Sequence, residues 1–240
     1  MFSPTQLKQH KKAALILTKI KDETFNFIKE NKKNIREKEV QNFILKKFKE
    51  NNLVNEVDKP IVAFGSNTGK VHYYPGKRSF RLKDNTLILL DIWARLNVKD
   101  APYSDITWMA FHGDNIPNNV KSTHKAVIKA RDISLGLIKK GIMPSGKHLD
   151  TIARKYLNKK YKNKFLHSLG HSIGLISPHG KYPHLKQSHD FPLLKNLPYT
   201  IEPGIYFKNK FGIRSEINFY INNKNKVIIT TPMQKDIVII

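Results

Sequence analysis

The spacing of apolar residues near the start of the chain is typical of amphipathic helices. Between Pro4 and about Asn52, apolar side chains recur at helical intervals in two groups, within residues 7–20 and within residues 40–48. We therefore predict that the chain opens with helices that each bury one face.

Two short apolar runs follow, KPIVAFGSN at residues 59–67 and NTLILLDIW at residues 85–93. Both are bounded by Gly, Asn or Asp, which favours buried strands. The segment between them, HYYPGKRSFRLKD, is rich in turn-forming residues. The sequence therefore predicts two strands joined by a turn-rich connection.

Helical periodicity returns from Asn118 to about Lys140 and stops at Gly141, a C-cap residue. A further helix is predicted at about residues 147–157. The last third alternates strand-like runs, TIEPGIYF, IRSEINFYI and KVIITT, with Gly, Pro and Asn. This mixture predicts an α+β fold. We expect one domain over residues 1–240, with a helical part at 1–58 and a strand-rich part at 59–240.

The composition narrows the chemistry that the chain can perform. A chain of 240 residues, 40% of them apolar, can bury a substantial core. The absence of cysteine excludes disulfides, thiolate metal sites and a cysteine nucleophile. No window approaches the roughly 20 consecutive apolar residues of a membrane span, and the opening MFSPTQLKQHKK lacks the apolar stretch of a secretory signal. We therefore expect a cytoplasmic protein without a membrane partner.

The formal net charge of +24 raises the question of a polyanionic partner. The lysines, however, are scattered through all parts of the chain, often beside Asn and Ile, and they form no long block. A biased composition with solvated lysines explains this distribution better than a recognition surface. We therefore expect no specific nucleic-acid partner.

Four acidic residues lie inside segments that otherwise resemble a protein core. They are Asp91 in LILLDIW, Asp105 in YSDITWMAF, Glu202 in YTIEPGIYF and Glu216 in GIRSEINFY. A buried carboxylate needs a cation or several hydrogen-bond donors. An ion pair or a helix cap would explain any one of them, but four together favour a metal site.

The segment FLHSLGHSIG adds two histidines, His167 and His171, four residues apart. It is not the zinc-protease motif HExxH, because Ser168 follows the first histidine and supplies no glutamate base. The glycines Gly170 and Gly174 disfavour a helix and indicate a backbone that passes close to a ligand or metal. A core histidine would explain the segment equally well on its own.

Four motifs now resemble those of the pita-bread metallopeptidases, which include methionine aminopeptidases, prolidases and Xaa-Pro aminopeptidases. The motifs are SDIT around Asp105, GHSIG at His171, IEPGIYF at Glu202 and GIRSEI at Glu216. The order of the acids and the histidine is also that of the family. The resemblance covers roughly residues 59–240 and implies a curved antiparallel sheet, helices on its outer face and a two-metal site at its centre.

The resemblance implies a specific set of functional residues. The metal ligands would be Asp91, Asp105, His171, Glu202 and Glu216, with Asp105 and Glu216 bridging two divalent ions. This oxygen-rich set favours Mn²⁺, and Fe²⁺, Co²⁺ or Zn²⁺ can also occupy it. The implied catalytic residues are Glu202 for proton transfer, His72 and His179 for holding the scissile carbonyl, and His167 and Arg214 in an outer layer.

Three features depart from the family pattern. Trp93 stands where the family has a glycine after the first aspartate, and three extra residues separate Asp91 from Asp105. Both changes lie in or beside a hairpin loop, where insertions are tolerated. His179 comes one residue late after His171, which reverses its direction in a strand unless a bulge absorbs the shift.

The segment GSNTGKVHYYP, the SDIT motif and Arg214 beside Glu216 resemble the Xaa-Pro branch. We therefore expect a stand-alone catalytic domain that releases the first residue of short Xaa-Pro peptides. The expected partners are these peptides and, in a homodimer, a second copy of the chain. A methionine aminopeptidase, a C–N hydrolase of a non-peptide substrate and a binding protein on the same fold are the alternatives.

Overall fold

The computed structural model describes residues 1–141 and 143–240, and it confirms the predicted mixture of helices and strands. The helices are α1 (Pro4–Glu30), α2 (Glu37–Glu50), α3 (Asn118–Lys139) and α4 (Gly146–Asn158), and a 3-10 helix spans Gly65–Gly69. The strands are β1 (Leu53–Val54), β2 (Ile61–Phe64), β3 (Thr86–Leu96), β4 (Tyr103–His112), β5 (Tyr199–Ile201), β6 (Gly204–Phe207), β7 (Phe211–Arg214), β8 (Ile217–Ile221), β9 (Val227–Ile229) and β10 (Val238–Ile239). None of the helices in the described residues is long and apolar enough to cross a membrane.

The helix ends follow local sequence signals. At the start of α1, Ser3 Oγ accepts from the backbone N of Gln6 at 3.2 Å, and Gln6 Oε1 accepts from the backbone N of Ser3 at 3.0 Å. This capping box satisfies two backbone donors that the helix leaves free. After α3, Gly141 has φ +80°, a conformation that glycine adopts without strain, and its predicted role at the helix end is confirmed.

A long antiparallel hairpin of β3 and β4 forms the centre of the main sheet. Its register sets Asp91 opposite Thr107 and Trp93 opposite Asp105. The short strands β1 and β2 pair with the other edge of β3. The strand β10 joins β4 in parallel and is the exception to the antiparallel arrangement.

The two faces of this hairpin contact different parts of the core, because successive side chains of a strand point to opposite sides. Leu90 and Ile92 pack with side chains of α1 and α2. Leu89 and Trp93 belong to the other cluster, which includes side chains of α3 and α4. By the same alternation, Asp91 lies on the face of β3 that looks away from α1 and α2.

The structure interrupts each of the predicted strand-like runs TIEPGIYF and IRSEINFYI at one point. The first is interrupted at residues 202–203 and the second at residues 215–216. The chain changes its pairing there, since β5 pairs with β8 whereas β6 pairs with β7. Pro203 also lacks the N–H that a strand ladder requires. The two glutamates therefore lie where the β5–β8 pair gives way to the β6–β7 hairpin, and not within a regular ladder.

Buried His10 joins three distant segments and makes stability depend on pH. One ring nitrogen lies 2.7 Å from the carbonyl oxygen of Tyr103 and the other 2.8 Å from Thr230 Oγ1. Burial lowers the pKa of His10 to about 4. The unfolded chain therefore binds a proton on this residue at a higher pH than the folded chain does, and stability falls as the pH drops from about 6.5 towards 4.

We expect this histidine to remove about 2 kcal/mol from the free energy of unfolding between pH 7 and pH 5. Urea unfolding of the parent chain and of the variant His10→Gln at both pH values measures the effect. The variant should lose less stability on acidification than the parent by about this amount. The same loss in both proteins would contradict the assignment.

Candidate metal centre

A cavity of about 600 Å³ lies over the inner face of the β3–β4 hairpin. Its lining includes all five residues predicted as metal ligands, namely Asp91, Asp105, His171, Glu202 and Glu216, together with His72, His179 and Arg214. Of the predicted functional residues, His167 is the one that does not line it. The fold therefore brings together side chains that lie far apart in the sequence.

The two aspartates reach the cavity from neighbouring strands. Asp91 is on β3 opposite Thr107, and Asp105 is on β4 opposite Trp93, so the two aspartates are offset by two positions in the register. Residues two apart on a strand share a face, so both carboxylates face the cavity. The hairpin loop at residues 97–102 joins the two strands beyond this paired region. Trp93, predicted in or beside this loop, lies within β3 instead, where it pairs with Asp105. The place of the extra residues stays a prediction.

Threonine hydroxyls orient the two glutamates. Thr107 Oγ1 donates to Glu216 Oε2 at 2.9 Å, and Thr200 Oγ1 donates to Glu202 Oε1 at 3.0 Å. Each hydrogen bond fixes the position of one carboxylate oxygen and does not engage the second oxygen of the same carboxylate. Burial raises the pKa of Glu202 to about 7, and burial together with Asp105 raises the pKa of Glu216 well above its usual range.

His171 presents an unprotonated nitrogen to these acids. Its Nδ1 lies 3.0 Å from the carbonyl oxygen of Ser172, so Nδ1 carries the proton and donates it there. Nε2 lies 3.3 Å from Glu202 Oε1 and 3.7 Å from Asp105 Oδ2. Burial lowers the pKa of the ring well below its ordinary value, which keeps the imidazole neutral. A neutral imidazole with a fixed Nδ1–H is the usual form of a histidine metal ligand.

The donor set fits a divalent cation. Ligand atoms of Asp105, His171 and Glu216 lie within 4.8 Å of one another, and all three residues are buried. Within the described residues, Asp105 Oδ1 and Glu216 Oε1 are buried and have no hydrogen-bond partner. Such orphaned carboxylate oxygens are costly unless a cation satisfies them. Burial and the carboxylates of Asp91 and Glu202 accordingly raise the pKa of Asp105 well above its usual range.

A buried arginine lies beside this group. Arg214 Nη2 is ion-paired with Asp91 Oδ2, and Nε donates to Thr107 Oγ1 at 3.1 Å. Arg214 Nη1 donates to the hydroxyl oxygen of Tyr206 at 3.3 Å, and that hydroxyl lies 2.8 Å from His167 Nε2. His167 is thus connected to the cavity through Tyr206 and Arg214. Burial lowers its pKa to about 3, so it accepts from Tyr206 as a neutral ring.

The sequence comparison agrees with this geometry. The model of metallopeptidase family M24 matches residues 8–223, most of the chain. The chain belongs to metallopeptidase family M24. An uncharacterized peptidase of Methanocaldococcus jannaschii is 33% identical to this M24 chain over 225 residues, which are 92% of the chain and 60% of that relative.

Two solved structures share the architecture of the M24 chain. The X-Pro aminopeptidase of Thermotoga maritima superposes with a TM-score of 0.87 at 27% identity, over 100% of this chain and 64% of that one. A recombinant prolidase of Thermococcus sibiricus gives a TM-score of 0.86 at 26% identity, over 100% and 62%. The M24 chain has the pita-bread fold that its motifs implied, and it spans about three fifths of the length of these relatives.

The late histidine of the M24 chain still reaches the cavity. The ring centroids of His179 and His171 lie 4.1 Å apart. A turn precedes it, closed by a bond of 3.0 Å from the backbone N of Gly174 to the carbonyl oxygen of Pro178. A residue added within such a turn changes its length without reversing the side chains that follow. Burial lowers the pKa of His179, which favours the neutral ring.

The glycines near His171 serve a different purpose from the one predicted. A Cβ atom on Gly170 would lie 2.2 Å from the carbonyl oxygen of Thr200. The close approach is therefore to a neighbouring backbone, and not to a ligand. It allows Thr200 Oγ1 to accept from the backbone N of His171 at 2.9 Å.

Trp93 forms part of the cavity wall. It is 6% exposed and lies on the same face of β3 as Asp91. The apolar residues Val57 and Ile61 line the same cavity. A large side chain thus stands next to Asp91 in the cavity wall.

Several supporting residues of the M24 chain were missed in the sequence. Thr107 lies in the SDIT motif, two positions after Asp105, and Thr200 lies two positions before Glu202. Alternation along a strand would have indicated that each shares a face with its carboxylate. Tyr206 gave no comparable signal, because its partner His167 lies 39 positions away in the chain.

Proposed function

We propose that this chain is a metal-dependent peptidase that binds two divalent cations. The observation that carries the proposal is the pair of orphaned buried oxygens, Asp105 Oδ1 and Glu216 Oε1, beside the free Nε2 of His171. Asp91 and Glu202 line the same cavity and would complete the two sites. Membership of a metallopeptidase family supports the same conclusion.

The donor set of four carboxylates and one imidazole favours Mn²⁺ and also admits Fe²⁺, Co²⁺ or Zn²⁺. When bound, two such ions would lower the pKa of a water between them and polarise the carbonyl of a peptide. The protein's own contribution is to hold the carboxylates in fixed orientations through Thr107 and Thr200.

The remaining polar residues would bind the peptide and move a proton. Glu202 is our candidate for proton transfer to the leaving amine, since it lines the cavity and its Oε1 lies beside His171. His72 and His179 line the same cavity and each carries an N–H that can donate to the scissile carbonyl. Arg214, supported by Tyr206 and His167, would keep Asp91 in place.

We propose short Xaa-Pro peptides as substrates. Proline has no N–H, so a site that accepts it must rely on shaped apolar walls. Val57, Ile61, Tyr74 and Trp93 supply apolar surface around the donor set. The likeness to an X-Pro aminopeptidase and a prolidase supports this preference. The cytoplasmic location, the absence of a specific nucleic-acid or membrane partner and a homodimer stay predictions from the sequence.

The decisive experiment compares Met-Pro-Ser with Met-Ala-Ser, which differ only in the second residue. With Mn²⁺ present we expect kcat/KM to favour the proline peptide by at least about tenfold, the scale of discrimination that pocket shape gives. EDTA should abolish both reactions. An advantage for Met-Ala-Ser would indicate a methionine aminopeptidase. Metal uptake without cleavage of either peptide would indicate a non-peptide substrate or a binding protein.

Trp93 should limit the size of the first residue of the substrate. In the variant Trp93→Gly, we expect the ratio of kcat/KM for Phe-Pro-Ser over Ala-Pro-Ser to rise about tenfold, because the enlarged cavity admits the bulkier side chain. Trp108 is a matched control, since it packs with the α1 and α2 side of the hairpin. Trp108→Gly should leave the ratio unchanged, and a similar rise in both variants would refute the assignment.

A further inference from the structure

A second cleft, of about 840 Å³, lies outside the metal cavity and shares no lining residue with it. It is formed by the end of β2, the start of β3 and the segment at residues 78–83. Its charged lining residues are all basic, namely Arg36, Arg78, Arg81 and Lys83. Phe80, which is exposed, supplies aromatic surface beside them.

The backbone holds two of these cations directly opposite each other. Arg36 and Arg81 form an antiparallel bridge, flanked by hydrogen bonds of 3.1 Å from the N of Glu37 to the O of Phe80 and 2.8 Å from the N of Leu82 to the O of Ile35. Side chains that face each other across such a bridge are close neighbours, and like charges in these positions repel. Lys83, two residues after Arg81, lines the same cleft.

The carboxylate of Glu37, next to Arg36 in the chain, does not neutralise this group. Glu37 is fully buried and accepts hydrogen bonds at 2.6–2.9 Å from four donors, which are the backbone N of Phe64 and of Phe80, Asn67 Nδ2 and Tyr73 OH. Its two oxygens are thereby occupied.

Other acids leave the cleft basic as well. Glu39 Oε2 accepts a hydrogen bond from the backbone N of Arg36 at 2.7 Å. Within residues 1–141 and 143–240, none of the four cations forms a salt bridge. The side chain of Asp84 is 92% exposed and lies 3.8 Å from His112 Nδ1. Arg36 Nη1 donates to the carbonyl oxygen of Ser79 at 2.5 Å, which orients the guanidinium without neutralising it.

We propose that this cleft binds a small ligand that carries phosphate groups with a total charge of −2 or more. One guanidinium group can donate two parallel hydrogen bonds to two oxygens of a phosphate. Two opposed arginines with a nearby lysine can therefore bind two adjacent phosphates. The concave shape favours a small molecule over a nucleic-acid strand, which needs an extended basic groove. The aromatic surface of Phe80, which is 47% exposed, can contact a planar group attached to the phosphates.

The test uses isothermal titration of the full chain with inorganic pyrophosphate at about 0.15 M salt, where diffuse attraction between exposed charges is largely screened. The double variant Arg81→Gln/Lys83→Gln removes two exposed cations from the cleft. The double variant Lys208→Gln/Lys210→Gln is the matched control, with the same loss of charge and the same spacing on the exposed β6–β7 turn. Thermal unfolding of both verifies that they fold.

We expect the Kd for pyrophosphate to rise at least about tenfold in the cleft variant, the effect of losing one or two charge-assisted bonds. The control should change it less than twofold. Equal weakening in both pairs, or no binding to the parent chain, would overturn the proposal. Tighter binding of a single-stranded oligonucleotide than of pyrophosphate, with the same sensitivity to the cleft variant, would overturn the assignment to a small ligand.

Discussion

The variant Asp105→Asn is expected to lose at least about a hundredfold in kcat/KM for Met-Pro-Ser. This decrease is larger than the one expected when a residue that only supports a metal ligand is replaced. Asp105 is 5% exposed, its Oδ2 lies 3.7 Å from His171 Nε2, and ligand atoms of Asp105, His171 and Glu216 lie within 4.8 Å of one another. An amide has nearly the same shape but carries no charge. It would therefore retain the packing and lose the cation.

The same variant should make the metal-free protein more stable. Burial and neighbouring carboxylates raise the pKa of Asp105 in the folded chain, so keeping this group in the folded state costs free energy at pH 7. A neutral amide removes that cost. A gain of about 1–2 kcal/mol corresponds to a rise in Tm of about 2–8 °C for a chain of this size.

Activity with Mn²⁺ and thermal unfolding in EDTA measure the two effects. Asp84→Asn is the control, because it makes the same chemical change at an exposed acid and should alter neither quantity. Full activity of Asp105→Asn would contradict the proposed metal site. Loss of activity together with a lower Tm would instead indicate a structural role for this carboxylate.

The variant Arg214→Met is expected to lower the free energy of unfolding by about 3–5 kcal/mol, the cost of removing one partner of a buried ion pair. Arg214 is 3% exposed, pairs with Asp91 and donates to Thr107 and Tyr206. Methionine fills much of the space but leaves the Asp91 carboxylate buried without its cation. The Tm measured in EDTA should fall by about 6–20 °C.

A double variant separates the ion pair from the packing. In Asp91→Asn/Arg214→Met, both charges are absent, so we expect at least half of the lost stability to return. A double-mutant cycle in urea gives the coupling energy of the two residues. If the double variant loses as much free energy of unfolding as the two single variants together, Arg214 stabilises the fold through its other contacts.

Much of the secondary structure could be predicted because its signals are local. The periodicity of residues 4–52, the glycine at 141 and the apolar run before Asp91 depend on neighbours within a few positions. The breaks at Glu202 and Glu216 could not be predicted in this way. They arise because the β5–β8 pair gives way to the β6–β7 hairpin there, and pairing between separate segments decides where each strand stops.

The residues of the candidate metal centre were identified from the sequence because carboxylates in apolar segments are costly and therefore conspicuous, and because their motifs resemble a known family. The sequence also indicated that the extra residues before Asp105 belong to a loop. Their partners were decided only by the tertiary structure. Arg214 and Asp91 are 123 positions apart, and Thr107 and Glu216 are 109 positions apart.

The basic cleft illustrates the same division. The sequence by itself determined a large excess of lysine and arginine, spread along the chain without a pattern. Only the fold decided that Arg36 and Arg81 face each other, because the bridge between them depends on backbone bonds between segments that are far apart in sequence. Charge is a property of each residue, whereas a binding site requires charges from distant segments to lie within a few ångströms of one another.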